Sequence, residues 1–114
     1  MGQPIQITIS AILYQEGDSW IAQGLEYDIT AQAPTLPALQ DRFATKVAAE
    51  VAISLDLDRK PLEGIGRAPE PFWRMFEKAT MTVVPDKAPE IAISGNVAVP
   101  RIISRMKVGE LEAA

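Results

Sequence analysis

SWIAQGLEYDITAQAPTLPALQDRFATKV, residues 19–47, is the stretch from which the rest of this chain can be placed. Trp20, Ala22 and Gly24 alternate with Ile21 and Gln23, the period of a strand with one face on a core. Gly24 marks a bend or a close backbone approach. Leu25 to Asp28 carries the chain around, and Ile29 to Ala33 gives another strand. The period then changes. Pro34 has no N–H to donate, Thr35 is placed to cap a first turn, and Pro37 is tolerated inside that turn. From there Leu36, Leu39, Phe43, Val47, Val51 and Leu55 recur at steps of three and four, which predicts an amphipathic helix. Ala44, Ala48, Ala49 and Ala52 flank the stripe and let such a helix lie close on a sheet. A helix of about 20 residues spans about 30 Å, enough to cross three or four strands.

On the N-terminal side, Ile5, Ile7, Ile9, Ala11 and Leu13 alternate with Gln6, Thr8, Ser10 and Ile12. This predicts a half-buried strand over Ile5 to Tyr14, joined to the next by the tight turn Glu16-Gly17-Asp18. Three consecutive strands with short connections form an antiparallel meander.

On the C-terminal side, Asp56 to Pro61 ends the helix, because a proline stops it. The loop Leu62 to Arg67 holds Gly64 and Gly66, but it lacks the lead-in strand, third glycine and Lys-Ser/Thr pair of a phosphate loop. In PFWRMFEKAT, residues Phe72, Met75, Phe76 and Ala79 form a short helical face, with Trp73 and Arg74 to one side. Met81 to Val84 reads as a strand, Pro85 to Pro89 as a turn, and Glu90 to Ser94 as a strand. Gly95-Asn96 then makes a hairpin turn leading to Val97 and Val99. Pro100 demotes Arg101 to Val108 to an edge strand or a basic amphipathic arm, and Gly109 to Ala114 frays. The expected fold is α+β: a three-stranded antiparallel meander packed on a long helix (β-β-β-α), followed by a short helix and one or two further strands. Residues 1–114 read as one domain, with 1–56 the recognisable core and 57–114 a C-terminal extension.

Composition narrows the function. At 114 residues, 47% hydrophobic and a mean hydropathy of +0.05, the chain is of globular type. It has no cysteine, hence no disulfide framework and no thiolate ligand, and no histidine, the commonest general base near neutral pH. The N-terminus lacks the basic flank and long apolar core of a secretory signal, and no run is long enough to span a bilayer. A cytoplasmic protein without membrane contact is expected. Net charge is −4, divided unevenly. Residues 1–58 hold eight acids against Arg42 and Lys46, a net of −6, while residues 59–114 hold nine basic and seven acidic groups, a net of +2.

Asp18, Glu26, Asp28 and Asp41 are the only N-terminal acids placed to form a divalent-metal cluster of the ribonuclease H kind, and they read more simply as turn and surface groups. No histidine is present to activate a serine or threonine. No catalytic, metal or cofactor residue is therefore assigned, and no cofactor is expected. Arg101, Arg105 and Lys107 make a candidate basic tail, but three cations release few counterions, so nucleic-acid binding is not expected. The candidate protein interface is the aromatic segment Phe72, Trp73, Met75 and Phe76.

The acidic glycine turn, the strand WIAQGLEYDITAQA and the helix opening TLPALQDRF resemble the HicB-like antitoxin domain, sometimes described as a partial ribonuclease H-like fold. The positions carrying the resemblance are Leu25, Glu26, Tyr27, Asp28, Ile29, Ala31, Gln32 and Thr35, within about residues 5–55. Free-standing members are closest. Glu26-Tyr27-Asp28 stands where paired antitoxins carry a proline–glycine element, and the closing segment offers no DNA-binding module. The resemblance implies a non-catalytic protein-binding domain, antitoxin-like or an orphan relative, with a homodimer and a small basic toxin-like protein as the expected partners. A self-associating structural protein without a toxin partner is the alternative, and a carboxylate-based, metal-dependent nuclease-like enzyme is the third reading.

Overall fold

A computed structural model describes residues 6–84 and 101–110. The chain is α+β, with a mixed five-stranded sheet and two helices. In order these are β1 (Gln6–Glu16), β2 (Ser19–Gly24), β3 (Thr30–Ala33), α1 (Leu36–Asp56), α2 (Glu70–Lys78), β4 (Met81–Val83) and β5 (Arg101–Val108). The sheet order is β3-β2-β1-β5-β4. β1, β2 and β3 pair as an antiparallel meander, from Glu16↔Ser19 to Ala11↔Gly24 and from Trp20↔Ala33 to Gln23↔Thr30. The meander is only part of the sheet. β5 lies parallel to β1, from Gln6↔Arg101 to Leu13↔Val108, and β4 pairs antiparallel with the end of β5.

β5 therefore corrects one expectation. It is neither an edge nor an arm, because its full length is hydrogen-bonded to β1 and its end to β4. Proline at the position before the strand takes no donor from within it. The alternation suits the place: Ile102 and Met106 are buried on the α1 side, while Arg105 is exposed. The expected strand at Glu90–Ser94, the turns at 85–89 and 95–96, and the return through Val97 and Val99 lie outside the described residues.

α1 has the boundaries its stripe predicts. Thr35 is its N-cap, with Oγ1 accepting from the Ala38 N–H at 3.3 Å. Leu39, Phe43, Val47 and Val51 pack on Ile7, Ile9, Ala11, Leu13, Ala22, Ile29, Ala33, Ile102 and Met106. After α1, Asp58 (φ 54°) reverses the chain, and Leu62 takes a left-handed φ of 62°. Leu62 is nevertheless buried in the α1-side core, where its N–H donates to Ser54 Oγ at 3.0 Å. Ser54 Oγ in turn donates to Glu50 O at 2.9 Å. A helix serine thus holds the loop that carries the chain away from α1.

β1 was expected to bury one face, and it buries both. Gln6 and Thr8 are exposed, but Ser10, Ile12 and Tyr14 on the same face are buried. The cause is α2, which crosses to the opposite side of the sheet and packs Met75 and Phe76 against Ile12, Tyr14, Leu25 and Ala68. The crossing is fixed by two backbone bonds, Asp28 N–H to Gly66 O at 2.7 Å and Ala68 N–H to Leu25 O at 2.9 Å. The glycine-containing loop is accordingly a strap across the end of β2. Gly24 is the close approach its place in a strand suggested: a Cβ there would come within 2.6 Å of the Tyr27 carbonyl. No helix among the described residues is long and apolar enough to cross a membrane.

Candidate functional site

The four acids weighed as metal ligands are dispersed. Asp18 is exposed in the β1–β2 turn and Asp41 is exposed on α1. Glu26 is occupied: its Oε1 accepts from the Ser10 N–H at 2.6 Å and its Oε2 from Ser10 Oγ at 2.8 Å. Backbone pairing of β1 with β2 ends at Ala11↔Gly24, so the Glu26 carboxylate satisfies the next N–H of β1 in place of a strand. Asp28 Oδ1 accepts from Gln23 Nε2 at 2.7 Å, and the same amide donates to Gly24 O at 2.9 Å. Gln23 is itself buried, so this network fixes the Leu25–Asp28 connection. Among the described residues no group of three acidic side chains is placed to hold a metal ion.

What the acids do share is a surface. Glu16, Asp18, Asp28, Asp41, Asp56 and Asp58 are all exposed. The two cations of residues 1–58 are committed elsewhere. Arg42 Nη1 donates to Gln32 O at 2.9 Å, and Lys46 Nζ donates to Thr30 O at 2.6 Å. Both acceptors are carbonyls on the free side of β3, the outer strand of the sheet. The pair thereby covers an edge that would otherwise template another strand. Their spacing of four on a helix that follows β3 was the available signal, and sequence reasoning had passed over it.

The aromatic segment is divided by the fold. Met75 and Phe76 are buried under the second face of the sheet, and Phe72 and Trp73 are half-buried beside them. Phe72 stacks on Tyr14 with ring centroids 6.3 Å apart. Trp73 does not stand aside as its helical position suggested. Its Nε1 donates to Ala68 O at 3.1 Å, and the Arg67 guanidinium lies 4.4 Å over its ring. Burial, and secondarily the charge of Glu16, raises the Tyr14 phenol above its ordinary value.

The basic segment Arg101, Arg105 and Lys107 belongs to β5 rather than to a tail. Lys107 Nζ sits 4.5 Å over the Phe76 ring and donates to Phe76 O, near the end of α2, at 3.4 Å. The Arg105 guanidinium lies 5.9 Å over the same ring. These cations are spread along a hydrogen-bonded strand, so they do not form the mobile arm considered for nucleic acid.

No family model matches this chain, and neither a curated protein nor a solved structure matches it.

Proposed function

We propose that this chain is a non-catalytic protein-binding domain of the HicB-like type, antitoxin-like or an orphan relative, acting in the cytoplasm through its acidic surface on a small basic protein. The β1-β2-β3-α1 unit is the part of the fold this reading requires. The observation that carries it is the disposition of charge. Six exposed carboxylates belong to β1–β3, α1 and their connections, while Arg42 and Lys46 from the same half of the chain are drawn onto the β3 edge. The surface left to solvent is strongly negative, which speeds encounter with a basic partner and repels acidic ones. Strand addition at β3 is disfavoured by the same two side chains, so the partner is expected to meet side chains rather than backbone.

The test is capture on the immobilised full chain from a native lysate at low salt, with the bound proteins identified by mass spectrometry. A small basic protein retained in stoichiometric amount and released by salt is the expected result. Retention of nothing small and basic overturns the proposal. A homodimer is the second reading, favoured by the half-exposed rings of Phe72 and Trp73. Light scattering on the wild type and on Phe72→Glu checks it: a dimer that becomes a monomer supports the reading, and a wild-type monomer removes it.

A further inference from the structure

α2 covers only part of its side of the sheet. It packs on β1 and on Leu25, while the β5–β4 portion of that face lies beyond its last turn. The result is a half-open groove of about 220 Å³ lined by Phe76, Thr82, Val84, Arg105 and Lys107. Strand register explains the lining, since Thr82 is paired with Lys107 across β4 and β5. Val84 is 79% exposed at the rim.

Charge distinguishes this groove from a simple crevice. Arg105 and Lys107 stand over one ring, at 5.9 and 4.5 Å, and neither is paired with a carboxylate among the described residues. Two cations held on one ring repel each other, and an anion placed between them relieves that repulsion. Lys107 uses one of its three donors on Phe76 O, leaving two, and the Arg105 fork is engaged only with the ring. Phe76 and Val84 supply an apolar floor and rim beside the charged groups, and Thr82 adds a hydroxyl. The combination of an apolar concavity with a few convergent polar groups is that of a small-ligand site.

We propose that this groove binds a small organic anion, a phosphate or carboxylate carried on a compact apolar group. The volume fits one ring and its charged head. The site lies on the sheet face opposite α1, is built from other residues than the acidic surface, and stands or falls independently of the protein partner.

The experiment is an amide chemical-shift titration of the full chain with phenyl phosphate, with inorganic phosphate and phenol as comparison ligands. Saturable shifts confined to Phe76, Thr82–Val84 and Ser104–Lys107 are expected, with phenyl phosphate the tightest of the three. Arg105→Gln, a change at an exposed position, should weaken phenyl phosphate about tenfold, the size of one charge-assisted contact. Lys107→Gln should weaken it similarly, and the spectrum of each free variant reports that it is folded. Shifts centred elsewhere, no saturable shift, phenol binding as tightly as phenyl phosphate, or unchanged affinity in both variants would each overturn the proposal.

Discussion

On one face of the sheet, a helix of 21 residues meets apolar side chains from β1, β2, β3 and β5, and a loop leucine is tucked beside them. On the other face, a helix of nine residues meets β1 and Leu25 and leaves the β5–β4 portion uncovered. The first face has the depth to hold the fold together. The second adds a smaller core and keeps room for charge, which is how a strand carrying Arg105 and Lys107 can lie inside a sheet. A strand is interior by its hydrogen bonds, and it can still have one face in water.

The contrast can be broken by truncation on each side. Phe43→Ala removes a fully buried ring from the α1 side and should cost about 4–5 kcal/mol in urea unfolding, the upper end for phenylalanine. Phe76→Ala, on the shallower side, should cost about 3 kcal/mol. Equal losses at the two positions would mean that the two cores are of similar depth. Between the faces lies the Glu26–Ser10 bond pair. Glu26→Ala leaves a β1 N–H without its acceptor and should cost about 2 kcal/mol, read by the same unfolding curves.

The double variant Arg42→Ala/Lys46→Ala should lower stability by less than about 1 kcal/mol, because both donors act at exposed positions. Its larger effect should be concentration-dependent association, seen by light scattering, as the β3 edge opens. Smallest of all is the effect of Tyr14. Its phenol is raised by burial, so the neutral form belongs to the folded state. Stability from this group is therefore fully present below about pH 10, the unfolded value, and is lost as pH rises through the higher folded value. Phenolate absorbance in Tyr27→Phe isolates Tyr14, and titration at the ordinary value would show that the second face is more open than described here.

Sequence patterning conveyed the two faces unequally. The α1 stripe, its Thr35 cap and the Glu16-Gly17-Asp18 turn are local signals, decided within a few residues, and all three appear in the fold. The β1–β5 pairing joins residues almost a hundred positions apart in parallel, and no local pattern encodes it. Pro100 and the cations after it pointed to an edge or an arm, because alternation shows which residues share a face but not what covers it. Ile12 and Tyr14 likewise looked like the open side of β1 until α2 was placed over them. At the candidate site, the charge asymmetry was legible by counting. The engagement of Glu26 by Ser10, and of Arg42 and Lys46 by β3, required the bend after Gly24 and the helix position to be known first.

The central claim is that the acidic surface is the binding surface. Its most direct test is capture from native lysate by the wild type beside Asp18→Lys/Asp41→Lys/Asp56→Lys, three exposed positions whose reversal leaves both cores intact. The account predicts that the wild type retains a small basic protein and the charge-reversed chain does not. Equal retention by both would contradict it.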